Sequence, residues 1–172
     1  DAQLIGMIGR FDSQKNHSGF FKAMRLIQTS KPNSSFCLVG EGVTRDNPTL
    51  QKMISDNHID KDRLHLLGHR NDINAVLNAI VILALPSDGE AFPNVVGEAM
   101  ACETPCVVTD VGDCAAIVGE TGRVVPAGDM VKFADAVLDL LAKPKTDRQA
   151  MGRAARARVK KLYDIDKVAK KY

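Results

Sequence analysis

The sequence predicts a doubly wound α/β fold, a parallel sheet of about six strands with helices on both faces. Three observations carry that reading. Short, nearly continuous apolar runs recur along the chain, the clearest at residues 81–85, as strands buried on both faces require. Between them lie longer stretches with apolar residues at helical spacing, such as Phe20, Phe21, Met24 and Ile27. The two patterns alternate from one end to the other, as they must when helices carry the chain between parallel strands.

Leu4-Ile5-Gly6-Met7-Ile8-Gly9 is the first strand, and the helix of Phe20 to Ile27 behind it is closed by Pro32. Ser35-Phe36-Cys37-Leu38-Val39-Gly40 is the second, followed by a short helix marked by Leu50, Met53 and Ile54. Leu64-His65-Leu66-Leu67-Gly68 is the third, with a helix around Ile73, Val76 and Leu77. The fourth, 81–85, ends in the turn cluster Pro86-Ser87-Asp88-Gly89, and a helix over 94–102 follows. Cys106-Val107-Val108 and Gly122-Arg123-Val124-Val125 are two further strands. Residues 131–141 form an amphipathic helix with Phe133, Val137, Leu140 and Leu141 inward.

The domain is expected to span 1–145, and 146–172 to form a basic helical tail packed on it or on a preceding domain. From residue 151 onward there are eight basic residues and two acidic, a net of +6, which leaves −4 on the rest of the chain. The run Arg153, Arg156, Arg158, Lys160 and Lys161 is expected to be a solvated helix face, the alternative being a patch for an anionic partner.

Composition excludes several classes. With 172 residues, 45% hydrophobic and 26% charged, the chain suits one soluble globular domain. Aromatics at 5%, no Trp and a net charge of +2 argue against a nucleic-acid platform. The longest apolar run, 79–86, falls far short of the roughly 20 residues of a membrane helix. No basic leader precedes the first strand, so a cytoplasmic location is expected, and a strand at the first residues suggests a piece of a longer polypeptide. Cys37, Cys102, Cys106 and Cys114 form no C-x-x-C pair and no metal-ligand spacing with the four histidines. They are read as reduced packing residues, and neither a metal nor another cofactor is expected.

Ligands of an open parallel sheet bind beyond the carboxyl ends of its strands. Those loops hold Gly9-Arg10 and Lys15, then Gly40-Glu41-Gly42, then His69-Arg70, and finally Glu90-Ala91-Phe92-Pro93-Asn94-Val95. Arg10 and Lys15 suit a phosphate clamp, a planar fork beside a point charge, or are simple surface charges. No G-x-G-x-x-G follows the first strand and no G-x-x-x-x-G-K-[ST] occurs, so dinucleotide and P-loop fingerprints are missing. Pro93 is expected at the first helical position, leaving the N–H groups of Asn94 to Val96 as an anion site. Glu90 and Glu98 beside that site make sense if the ligand is a diphosphate flanked by polyols, whose hydroxyls carboxylates accept. Otherwise they are an ordinary loop charge and an exposed helix residue.

Gly9-Arg10 with Lys15, Val39-Gly40-Glu41-Gly42, Leu67-Gly68, and Leu85-Pro86-Ser87 through Glu90-Ala91-Phe92 to Glu98-Ala99-Met100-Ala101 together resemble the C-terminal domain of retaining GT-B glycosyltransferases of family 4. Thr104-Pro105-Cys106-Val107-Val108, Gly122 and Pro126 continue the pattern, so the likeness covers essentially the whole chain. It implies a Rossmann-like half of a GT-B enzyme that binds a nucleotide-diphosphate-sugar donor. Arg10 and Lys15 match the family's phosphate clamp. Glu90 matches the carboxylate at the donor sugar, helped by the backbone of Ala91 and Phe92, and Glu98 the one at the ribose. His69 and Arg70 fall in the base-contacting loop. The implied partner is an N-terminal GT-B domain carrying the acceptor site, and the isolated chain is expected to bind donor weakly and transfer nothing. A polysaccharide or lipid-linked acceptor would place the enzyme at the inner membrane face, with the basic tail assisting. A sugar-nucleotide epimerase and a non-enzymatic nucleotide-binding module are the alternatives.

Three positions depart from the family pattern. Ala91 replaces the Gly after the first Glu, and Glu103 stands at a helix end where Gly supplies the left-handed cap. The usual G-G-x-x-E is Gly112-Asp113-Cys114-Ala115-Ala116, without its Glu, so no catalytic role is expected of that loop.

Overall fold

The computed structural model describes residues 3–164. Its strands are β1 (Gln3–Ile8), β2 (Ser34–Val39), β3 (Leu64–Leu66), β4 (Ile82–Leu85), β5 (Cys106–Thr109) and β6 (Arg123–Val125). Its helices are α1 (His17–Ser30), α2 (Pro48–Asp56), α3 (Ile73–Ala79), α4 (Asn94–Ala101), α5 (Cys114–Val118), α6 (Met130–Ala142) and α7 (Lys145–Leu162). The six strands form one parallel sheet in the order β3-β2-β1-β4-β5-β6. The expected doubly wound α/β sheet is thus present.

The period of two along each strand divides the core into two layers. Ile5, Met7, Ile82 and Ala84 face α1, α2 and α6, where Phe20, Phe21, Met24, Leu50 and Phe133 fill the space. Ile8, Leu83 and Leu85 face α3, α4, α5 and α7 through Leu77, Val96, Met100, Ile117 and Ala155. Both layers are apolar, which is why the inner strands read as unbroken apolar runs. The order reverses between β1 and β4, so their carboxyl ends open side by side into the crevice where the site is sought.

Several expectations need correction. Pro93 is the N-cap of α4 rather than its first residue, and the Val96 N–H donates to the Pro93 carbonyl at 3.0 Å. Val96 therefore leaves the set of free donors. Cys102 lies just past the helix instead of in it. The short helix α5 was not anticipated. Glu103 does not forgo the left-handed cap; it takes that conformation itself, with φ +61°.

The last helix begins at Lys145, well before the basic run, and lies against α4 through small residues. Ala155 is buried, and a Cβ on Gly152 would stand 1.9 Å from the Glu103 carbonyl oxygen. Two of the basic side chains are spent on this docking, contrary to a purely solvated face. Arg158 donates to the Ile117 and Ala116 carbonyls at 2.9 and 2.7 Å, and Arg156 reaches the Glu103 carboxylate at 3.2 Å. Residues 165–172 of the expected tail lie outside the described residues.

Candidate functional site

The crevice at the reversal point is built from the loops after β1 and β4. Asp12 opens a 3-10 turn over Ser13–Lys15 by accepting from the Gln14 N–H, and Asn16 then takes the left-handed conformation (φ 51°) to cap α1 through the Gly19 N–H. That double turn lays the Lys15 side chain along Gly9, where an added Cβ would press on its methylenes at 3.2 Å. Lys15 Nζ meets Glu90 Oε1 at 2.5 Å, and the buried Ser87 hydroxyl donates to the same oxygen at 2.7 Å. The two charged side chains are only 20% and 9% exposed, so solvent screens the pair little. Among the described residues nothing donates to Glu90 Oε2.

Further contacts zip the two loops together. The Asp88 N–H donates to the Gln14 carbonyl at 2.8 Å, and the Asn16 amide to the Asp88 carboxylate at 2.8 Å. Beneath them, the Thr109 hydroxyl donates to the Ser87 carbonyl at 2.5 Å. Beyond Glu90, the N–H groups of Ala91, Phe92, Asn94 and Val95 have no acceptor among the described residues. They sit where the positive end of α4 opens, the place where an anion is stabilised.

The structure joins some predicted site residues and separates others. Gly40 belongs to the crevice floor: with φ +156°, its Cβ position lies 2.0 Å from the Gly9 carbonyl oxygen, so no side chain fits. Gly42, with φ +74°, packs on Phe11, whose N–H donates to Glu41 at 2.7 Å. Arg10 stands out from the crevice, 67% exposed, and rests 3.5 Å from Asp12 rather than beside Lys15. His69 and Arg70 occupy a separate exposed loop, tied to the floor by the Gly40 N–H to Gly68 carbonyl bond of 2.8 Å. There His69 lies 3.1 Å from the Asn71 side-chain oxygen, and Arg70 makes a bidentate pair with Asp72. That hydrogen-bonded guanidinium holds the Asp72 carboxyl below its ordinary range.

Glu98, with Phe92, Asn94 and Tyr163, lines a groove of about 370 Å³ between α4 and α7. Phe92, 47% exposed, meets the Tyr163 ring edge-on at 5.7 Å. A larger cavity of about 700 Å³ lies at the opposite end of the sheet, lined by Gln3, Val81, Cys102, Pro105 and Arg148. It borders the starts of strands, away from the crevice.

Sequence reasoning gave no site role to Ser87, Asn16, Asp88 and Gly112, although it placed Ser87, Asp88 and Gly112 in turn or family motifs. The signal for Ser87 was a hydroxyl three residues before a strand-exit carboxylate. His17 is buried under the first loop against the Phe11 ring, centroids 5.0 Å apart, and neither ring nitrogen makes a hydrogen bond. Burial pushes its pKa down to about 4, and Lys15 adds to the drop while Asp12 opposes it. All four cysteines are free, and burial raises Cys37, Cys106 and Cys114 to about 11, 12 and 11, which leaves them inert as nucleophiles. Among the described residues no cluster of His, Cys, Asp or Glu could hold a metal ion, and no helix is long and apolar enough to cross a membrane.

Comparison with known proteins gives this geometry a family. The chain is 30% identical to the N-acetyl-alpha-D-glucosaminyl L-malate synthase of Bacillus anthracis, over 99% of its own length and 44% of that enzyme. It is 31% identical to an Escherichia coli UDP-Gal:alpha-D-GlcNAc-diphosphoundecaprenol alpha-1,3-galactosyltransferase, over 94% of its length and 44% of that enzyme. The chain thus spans less than half the length of these relatives. In fold it is similar to Anabaena HepE crystallised with UDP-glucose, at a TM-score of 0.87 and 21% identity, covering 99% of this chain and 47% of that one. Residues 2–143 match the family model described as glycosyl transferases group 1, and the chain belongs to that family.

Proposed function

We propose that the chain is the donor-binding part of a glycosyltransferase. The enzyme moves a sugar from a nucleoside diphosphate to a glycan or lipid-linked acceptor, with retention of configuration and without a metal. The observation that carries the reading is the Lys15–Glu90–Ser87 cluster beside acceptor-free N–H groups at the start of α4. That arrangement offers a cation and oriented backbone donors to a diphosphate, and a fixed carboxylate to hydroxyl groups. The UDP-glucose seen in HepE and the UDP-Gal in the name of the Escherichia coli relative support the same class of donor.

In this mechanism Lys15 and the α4 N–H groups stabilise the charge that grows on the departing diphosphate, a preorganised electrostatic effect. Arg10 swings from its loose contact with Asp12 to add a second cation. Glu90, held through Oε1, presents Oε2 to the sugar hydroxyls. Glu98 holds the ribose, and the loop of His69 and Arg70 borders the base. The acceptor and the rest of the active site come from an N-terminal domain of the same polypeptide, which accounts for the length of the relatives.

Titration of UDP, GDP and ADP into the chain tests the reading. At least one binds in the micromolar to millimolar range, and Lys15→Ala weakens it tenfold or more, with Arg10→Ala acting in the same direction. Absence of binding at millimolar nucleotide, or variants that bind as tightly as wild type, overturns it.

A further inference from the structure

The β5–α5 turn, residues 110–113, touches the loop that carries Glu90. Gly112 has φ +51°, and a Cβ there would lie 2.1 Å from the Glu90 carbonyl oxygen and 2.6 Å from that of Ala91. Both neighbours are backbone, so neither can swing aside. The next residue adds a hydrogen bond: the Asp113 N–H donates to the Ala91 carbonyl at 3.0 Å. Two successive carbonyls of the site loop therefore point at this turn.

A trans peptide directs its C=O and N–H to opposite sides. The Glu90 carbonyl shares a peptide with the Ala91 N–H, and the Ala91 carbonyl shares one with the Phe92 N–H. With the Ala91 oxygen bonded to Asp113 and the Glu90 oxygen seated against Gly112, both N–H groups are turned away from this turn, and these are two of the donors left without an acceptor. We infer that Gly112 is a positioning residue for the donor site, resting on the reading above. Its missing side chain lets the turn seat against the Glu90–Ala91 backbone and aim the Ala91 and Phe92 N–H groups at the bound nucleotide sugar.

Gly128 supplies the control, because it also has positive φ (+78°) but nothing lies within 4 Å of an added Cβ. Gly112→Ala and Gly128→Ala share the cost of a left-handed alanine, and only the first presses on the site loop. Binding of UDP-glucose and UDP is measured by calorimetry for both variants, with thermal melts alongside. Gly112→Ala is expected to weaken UDP-glucose at least tenfold, whereas Gly128→Ala binds as wild type with a lowered melting point. Amide NMR of the wild-type chain gives a second readout that needs no variant. The Ala91 and Phe92 amides exchange rapidly with solvent in the free protein and become protected when UDP-glucose is added.

Gly112→Ala that binds like wild type, or Ala91 and Phe92 amides that the ligand leaves unprotected, overturns this inference while the donor-binding reading stands. A wild-type chain that binds neither ligand overturns both.

Discussion

Lys15 and Glu90 show what a single contact asks of its surroundings. Each is mostly shielded, and each would be costly alone, so the pair persists because Ser87 satisfies Glu90 further and Thr109 holds Ser87 in turn. His17 beneath them is the opposite case, a buried titratable group whose ring nitrogens have no hydrogen-bond partner. Its imidazole is neutral in the fold, with a pKa of about 4 against 6.5 when exposed. The unfolded chain thus binds the extra proton first as pH falls. The stability tied to this group is complete above pH 6.5 and is lost progressively down to pH 4, on the order of 3 kcal/mol in all. Replacing it by His17→Phe should flatten the stability profile over that window, as urea midpoints between pH 4 and 7 would reveal; an unchanged slope would place the acid sensitivity elsewhere.

At the scale of elements, α7 docks by closeness rather than by apolar bulk. Gly152 meets the carbonyl that ends α4's turn, Ala155 is buried, and Arg158 caps carbonyls at the end of α5. Gly152→Ala should push the two helices apart and cost about 1–3 kcal/mol, in the range of overpacked sites. Limited proteolysis should then cut first within 145–162; a variant as resistant as wild type would mean the helix is held by other contacts. This is also where the sequence was least legible. Helix α7 buries only small residues, so no apolar stripe marks its start at Lys145. Helix α5, with Cys114-Ala115-Ala116-Ile117-Val118, is too short and too uniformly apolar to show a period. The inner strands, buried on both faces, announced themselves. In the site, Lys15 and Glu90 could be named from their loops, but their contact spans 75 positions and depends on the order of strands, which no local pattern records.

For the whole molecule, the proposed ligand should act as a stabiliser, since it binds the folded state across two loops. At a concentration 100 times its dissociation constant, a nucleotide adds about 2.7 kcal/mol. For a chain of this size that is a rise of about 5–10 °C in Tm, following the usual 2–4 °C per kcal/mol. Differential scanning with UDP, GDP and ADP would rank the bases directly, and a flat response to all three would count against a nucleotide site. Lys15→Ala should remove most of the shift.

The place of β1 has a further consequence, for the time course of folding. It is paired with β2, thirty residues on, and with β4, which follows only after almost eighty. The first pairing closes a short loop and can form early; the second brings together distant segments and carries the larger entropic toll. The half-sheet β1-β2-β3 is thus the natural first-formed unit, and the crevice cannot exist until β4 arrives. Ligand competence should appear as the late kinetic phase, after the half-sheet has formed, so a nucleotide added during refolding would find no site in the early species.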